Sequence, residues 1–220
     1  MSRSFLDEVR SSLVPVNKSI LEHPFILEAE EGTLQIDAIK RFVKNQNYIM
    51  SHDIRSLAFM ISRSTSEEEL KFFDSVYKGD AQALPLLIRM AQSLGLKTID
   101  LDTYIPIPEA VSYAHYLTFL AQFATPGEQT MALVVNLPVW GSNCNRLSKA
   151  LREKYGIDET SFLDLFAQPI TEAEKAATLV INHYLDKKKN MERVAKLIQG
   201  YELMFWNGVY RGYVSNQIYD

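Results

Sequence analysis

The sequence predicts an all-α protein: one domain, built as a bundle of seven or eight helices. Three observations carry that expectation. Apolar residues recur at the 3.6-residue period of a helix nearly throughout, and alternating strand-like runs bounded by turns are nearly absent. Only 9 glycines and 8 prolines punctuate the 220 residues, and no Gly/Ser-rich linker, repeat or low-complexity tract divides them. Several of the periodic segments are long, as the helices of a bundle are.

The clearest helix is 36–63. There Ile39, Phe42, Val43, Ile49, Met50, Leu57, Met60 and Ile61 follow the i, i+3, i+4, i+7 rule. Ser64-Thr65-Ser66 then offers an N-cap, with acids at 67–69 in the first turn of a helix expected to reach Ser93 and stop at Gly95, kinked at Pro85. KTIDLDTYIPIP reads as a loop before a shorter helix over about 108–124. Thr125-Pro126 restarts the chain into a helix ending at Tyr155, where Gly156 stops it. Thr160 and Thr171 start two further pieces, the second reaching about Lys189, and a last helix covers roughly 190–213.

Composition narrows the function. Hydrophobic residues make up 47% and charged residues 23%, ordinary for a globular protein, and 23 basic against 27 acidic residues leave a net charge of -4. No long basic run or basic-aromatic interleaving is present, so nucleic acid is not expected as a ligand, and Lys187-Lys188-Lys189 reads as a solvated helix end. A single cysteine cannot form an internal disulfide, and MSRSFLDEVR is polar. The most apolar segment, MALVVNLPVW, is far short of the roughly 20 residues of a membrane span. The expectation is a cytoplasmic protein with no membrane partner.

Polar residues inside apolar stripes mark candidate chemistry. In the last helix Glu202 sits among Ile198, Tyr201, Phe205 and Val209. A carboxylate there either reaches water or is buried with its pKa raised. Gln46, Asn47 and Asp53 interrupt the 36–63 stripe, with Asn47 on one face with Val43, Met50 and Ile54, as a packing amide or a ligand contact. In VVNLPVWGSNCNRL, residues 134–147, Pro138 removes a backbone donor and leaves the carbonyl near residue 134 without its usual partner. Gly141 admits the close approach of a backbone or a ligand, and Asn143 shares a face with Val139. Such a helix either kinks for packing alone or lines an interhelical pocket.

These anchors together resemble the TenA (thiaminase II) family and its relative PqqC, which share the heme-oxygenase-like fold. The likeness spans essentially the whole chain. It rests on HPFILEAEEGTLQIDAIKRFVKNQNYI, on Tyr113 in AVSYAHYLTFLA, on LPVWGSN and on ELMFWNGVY. The resemblance implies hydrolysis of a C–N bond in thiamin or its aminopyrimidine breakdown product, with a cysteine nucleophile and an aspartate and a glutamate that hold the pyrimidine. Carried over, the aspartate falls on Asn47, the nucleophile on Val139, and two tyrosines on Asn143 and Phe166; only Glu202 and Tyr113 match. Cys144 lies five residues, or about 140°, off the face of Val139, so the family's covalent chemistry is not expected.

The resemblance thus implies a small heteroaromatic ligand bound by Asn47, Met50, Tyr113, Val139, Asn143, Phe166 and Phe205, with Glu202 as the catalytic acid/base. The alternatives are a non-catalytic binding or regulatory homologue and a PqqC-like oxidase or di-iron oxygenase. The di-iron branch's last ligands would fall near Asn182, Asp186 and Lys189, of which two cannot serve. His23 belongs to the HPF turn, His52 could line the pocket, and His115 and His183 read as structural or surface residues. No metal and no cofactor are expected. No G-x-S-x-G, H-E-x-x-H, P-loop, G-x-G-x-x-G or C-x-x-C occurs. The family also implies a homo-oligomer, dimer or tetramer, with which exposed aromatics at Trp206, Tyr210 and Tyr213 would be compatible.

Overall fold

A computed structural model describes residues 4–212. Among them the chain forms eleven α-helices and no strand. These are α1 (Phe5–Ser12), α2 (Val14–Leu21), α3 (Pro24–Glu31), α4 (Ile36–Ser62), α5 (Glu67–Ser93), α6 (Thr98–Asp102), α7 (Pro108–Phe123), α8 (Pro126–Tyr155), α9 (Ser161–Phe166), α10 (Thr171–His183) and α11 (Lys188–Arg211). The count exceeds the expected seven or eight because three short N-terminal helices and α6, inside the expected loop, are too brief for a periodic signal. A 3₁₀ turn at Leu185–Lys187 ends α10 earlier than expected and starts α11 at Lys188.

The caps account for the long elements. Ser66 accepts from the Glu69 amide and Glu69 accepts in return from the Thr65 amide, so α5 starts there and runs on through Pro85. Thr125 and Glu128 form a reciprocal capping box with Pro126 in the first turn of α8, and Gly156 closes that helix at a φ of 63°. At the far end of α7 the Gln129 amide donates to the carbonyls of Leu120 and Ala124, and Arg63 donates to Ala121. Side chains from outside α7 thus satisfy the Ala121 carbonyl and give a second donor to that of Leu120, which already accepts from the Ala124 amide.

Pro138 does not break α8, which stays helical for 30 residues. The carbonyl it strands, that of Val134, accepts from Arg10 Nη2 at 3.2 Å, and the same guanidinium pairs with Glu174 of α10. Arg10 therefore ties α1 and α10 to the weak point of α8. Replacing it with leucine leaves that carbonyl unpaired, and urea unfolding should register a loss of about 1–3 kcal/mol.

Helix α4 packs on α5 and α7, while α11 packs on α7 and α8. Two apolar clusters result. One gathers Phe25, Phe42, Trp140, Phe162, Phe205 and Trp206; the other gathers Phe72, Phe73, Leu117, Met131, Leu133 and Ile198. Tyr113 packs against both. Trp206 is fully buried in the first cluster, which removes it as an oligomer contact, and Tyr210 is half-buried, with its hydroxyl on Glu28. Tyr213 lies outside the described residues. No helix among those described is long and apolar enough to cross a membrane.

Candidate functional site

A cavity of about 50 Å³ lies at the seam between the two clusters. Each wall is a helical stripe. Gln46, Ile49, Met50 and Asp53 come from α4, at i, i+3, i+4 and i+7, and α8 contributes Leu133, Asn136, Leu137 and Trp140 at the same spacing. Helix α5 adds Val76 and Asp80, α7 adds Tyr113 and Leu117, and α11 adds Glu202 and Phe205. Phe166, at the end of α9, closes one side.

Five of the eight expected site residues therefore line the cavity: Met50, Tyr113, Phe166, Glu202 and Phe205. Three do not. Asn47 is half-buried, one step of about 100° around α4 from the lining stripe, so Gln46 is the amide that faces inward. Val139 packs in the aromatic cluster while its neighbour Trp140 takes the wall. Asn143 is fully buried, but its amide donates to the Ile20 carbonyl at 3.2 Å and so ties α8 to the end of α2. Gly141 admits a backbone rather than a ligand: a Cβ there would stand 2.5 Å from the Phe166 carbonyl oxygen.

Glu202 is 4% exposed and held at both oxygens. Trp206 Nε1 donates to Oε1 at 2.8 Å and Asn136 Nδ2 donates to Oε2 at 3.4 Å. Asn136 is the hub of the network. It also donates to Gln199 Oε1 at 3.0 Å and accepts from the Tyr113 hydroxyl at 3.1 Å, while Gln199 donates on to Asn17. Burial pushes the Glu202 carboxyl up to about 7, against the pull of the Trp206 and Asn136 donors. A group so placed takes or gives a proton near neutral pH.

Two further acids share the cavity. Burial raises Asp80 to about 7, and raises Asp53 well above the usual carboxylate range, with repulsion from Asp80 added. Tyr113, buried and facing all three acids, is held well above an ordinary phenol. Sequence reasoning passed over Asp80, Asn136, Gln199 and Trp140. The test that found Glu202 would have found Asp80, which interrupts Phe73, Val76, Ala83 and Leu87 on one face of α5. Asn136 carried the same signal within the most apolar segment of the chain.

Cys144 is fully buried outside the cavity lining, and burial pushes its thiol up, so it is no nucleophile for this site. His23 caps α3 through Nδ1, which accepts from the Phe25 amide. His52 stacks on Tyr48 and lines a separate groove with Arg55 and Phe59; the neighbouring Asp53 is the residue that reaches the cavity. His115 meets the Tyr48 hydroxyl, and His183, Asn182, Asp186 and Lys189 are exposed. Among the described residues no three of His, Cys, Asp or Glu are grouped to hold a metal ion.

The fold has solved counterparts. A TenA homologue from P. horikoshii OT3 superposes with a TM-score of 0.80 at 17% identity, covering 96% of this chain and all of that one. A TenA family transcription regulator from Silicibacter sp. TM1040 gives 0.78 at 17% identity, covering 94% and 96%. A protein of Sulfolobus solfataricus P2, described as TenA-like and thiaminase-like, gives 0.72 at 14% identity, covering 93% and 95%. No curated protein matches the sequence. At these identities the superpositions establish the all-α fold, and the sequence profile of the TENA/THI-4/PQQC family matches residues 10–212. This chain belongs to the TENA/THI-4/PQQC family.

Proposed function

We propose that the cavity binds a small nitrogen heterocycle of the aminopyrimidine class and that the protein hydrolyses an exocyclic C–N bond on it, a salvage reaction of thiamin breakdown. The carrying observation is Glu202, a buried acid/base raised to about 7 and fixed by Trp206 and Asn136 in an aromatic-walled cavity. With no thiol in the lining, the reaction runs by direct displacement. Glu202 takes a proton from water and delivers it to the amine nitrogen as the hydroxyl attacks the carbon that bears it and the C–N bond breaks, so amine and water become alcohol and ammonia. Tyr113 and Phe166 wall the ring.

A volume of about 50 Å³ suits water, whereas an apolar cavity that takes benzene measures about 150 Å³. Ligand access therefore requires movement of a wall. Phe166 and Leu137 separate the cavity from a surface groove of about 370 Å³ that runs past Gly141 and Pro169 to Glu174. Displacing Phe166 joins the two spaces.

Glu202→Gln should lower turnover of an aminopyrimidine substrate by about 10²–10⁴-fold, while the substrate still raises the melting temperature of the variant. Wild-type turnover by Glu202→Gln, or neither product nor thermal shift with the wild type, would end this reading. The absence of a cysteine from the lining favours a second reading, ligand binding without chemistry. That reading predicts a thermal shift with no product.

A further inference from the structure

The cavity holds more acid than C–N hydrolysis uses. Three carboxyl groups line it, and no lysine, arginine or histidine does. Glu202 has both oxygens engaged by protein donors. Asp53 does not: the residue is only 6% exposed, its Oδ1 has no hydrogen-bond partner, and it faces the same space as Asp80. A buried carboxylate oxygen without a donor is costly, and folded proteins rarely keep one without a use for it. Asp53 sits on α4 and Asp80 on α5, two helices packed directly together, so the pair forms one acidic corner.

We propose that Asp53 and Asp80 form a second subsite of the cavity, which holds a protonated aliphatic amine carried by the bound molecule. An ammonium brings a compact positive charge and three N–H donors, enough to satisfy the open Asp53 oxygen and to bridge to Asp80. Trp140 and Phe205 line the same cavity, so its apolar wall is aromatic. A divalent metal does not fit this corner. Hard cations take six or more oxygens, only two of the three carboxylates are open, and the acids are not grouped as a metal set. This assignment rests on the reading of the cavity as a ligand site, though not on the reaction at Glu202.

The probes are benzylamine and benzyl alcohol, which share ring and shape and differ in the ammonium. Calorimetric titration of the wild type should show benzylamine bound at least 10-fold more tightly. Asp53→Asn and Asp80→Asn, near-isosteric and free of buried charge, should each erase that preference by weakening benzylamine far more than benzyl alcohol. Glu202→Gln should keep it. Equal affinity for the two probes in the wild type, no binding of benzylamine, or a preference that survives both aspartate variants would each overturn the assignment. So would a preference lost only in Glu202→Gln, because the ammonium would then sit on Glu202. Amine preference without aminopyrimidine turnover sinks the hydrolase reading alone; turnover without amine preference sinks the subsite alone.

Discussion

Raising the pH from about 5 to about 8 should cost the ligand-free protein about 5 kcal/mol of folding stability, through Glu202 and Asp80 alone. Their pKa values rise from 4.5 and 3.8 to about 7 on folding, because burial disfavours the charged form. Between the unfolded and folded values the native state holds a proton that the unfolded chain has lost. Stability is therefore highest at the acid end of that window, falls as the pH climbs toward 7, and levels off above it. Asp53, raised in the same direction, adds to the loss. His23 opposes it: its pKa is lowered, chiefly by burial, so its contribution is lost on acidification through the ordinary histidine range.

The variants isolate the acids from that background. Glu202→Gln and Asp80→Asn should each be more stable than the wild type at about pH 8, by roughly 3 kcal/mol, with the gap closing toward pH 5. Urea unfolding at the two pH values reads both. Wild-type stability that tracks the variants across the window would show that the two carboxyls ionise freely in the folded protein.

Phe42→Ala should cost about 3–5 kcal/mol, the largest loss expected from a single truncation here. Phe42 is fully buried, with ring centroids of Phe25, Trp140, Phe205 and Trp206 between 5.8 and 6.0 Å from its own. Removing the ring leaves a void that four aromatic residues from three other helices cannot all move to fill. Phe42→Leu, which keeps much of the volume, should cost less than half as much. The damage reaches the cavity, since Trp140 and Phe205 form its wall and Trp206 holds Glu202. A stability loss of less than about 1 kcal/mol from the urea midpoint, with the slope unchanged, would mean the cluster closes around the void.

The long helices and their caps were legible because their signals are local. Ser66, Thr125 and Gly156 mark their ends with side chains or backbone freedom that act within a few residues. Helix α6 was missed because five residues complete little more than one turn. At the site, Glu202 was legible as a charge in an apolar stripe, and Asp80 would have been by the same test. Asn47 in place of Gln46 is a different kind of error. Adjacent residues differ by about 100°, and at the edge of a stripe only the neighbouring helix decides which amide turns inward.

The sequence by itself determined that the chain is helical, where most helices begin and end, and that an acid on α11 and polar groups on α4 and α8 interrupt their apolar faces. Those features depend on spacing along one chain segment. Tertiary structure alone decided that Asp80 of α5 faces the same cavity as Glu202, that Asn136 joins Tyr113 to Glu202, that Asn143 ties α8 to α2, and that Arg10 completes the helix at Pro138. Each of these depends on the rotation of one helix against another, which is set by packing between residues far apart in the sequence.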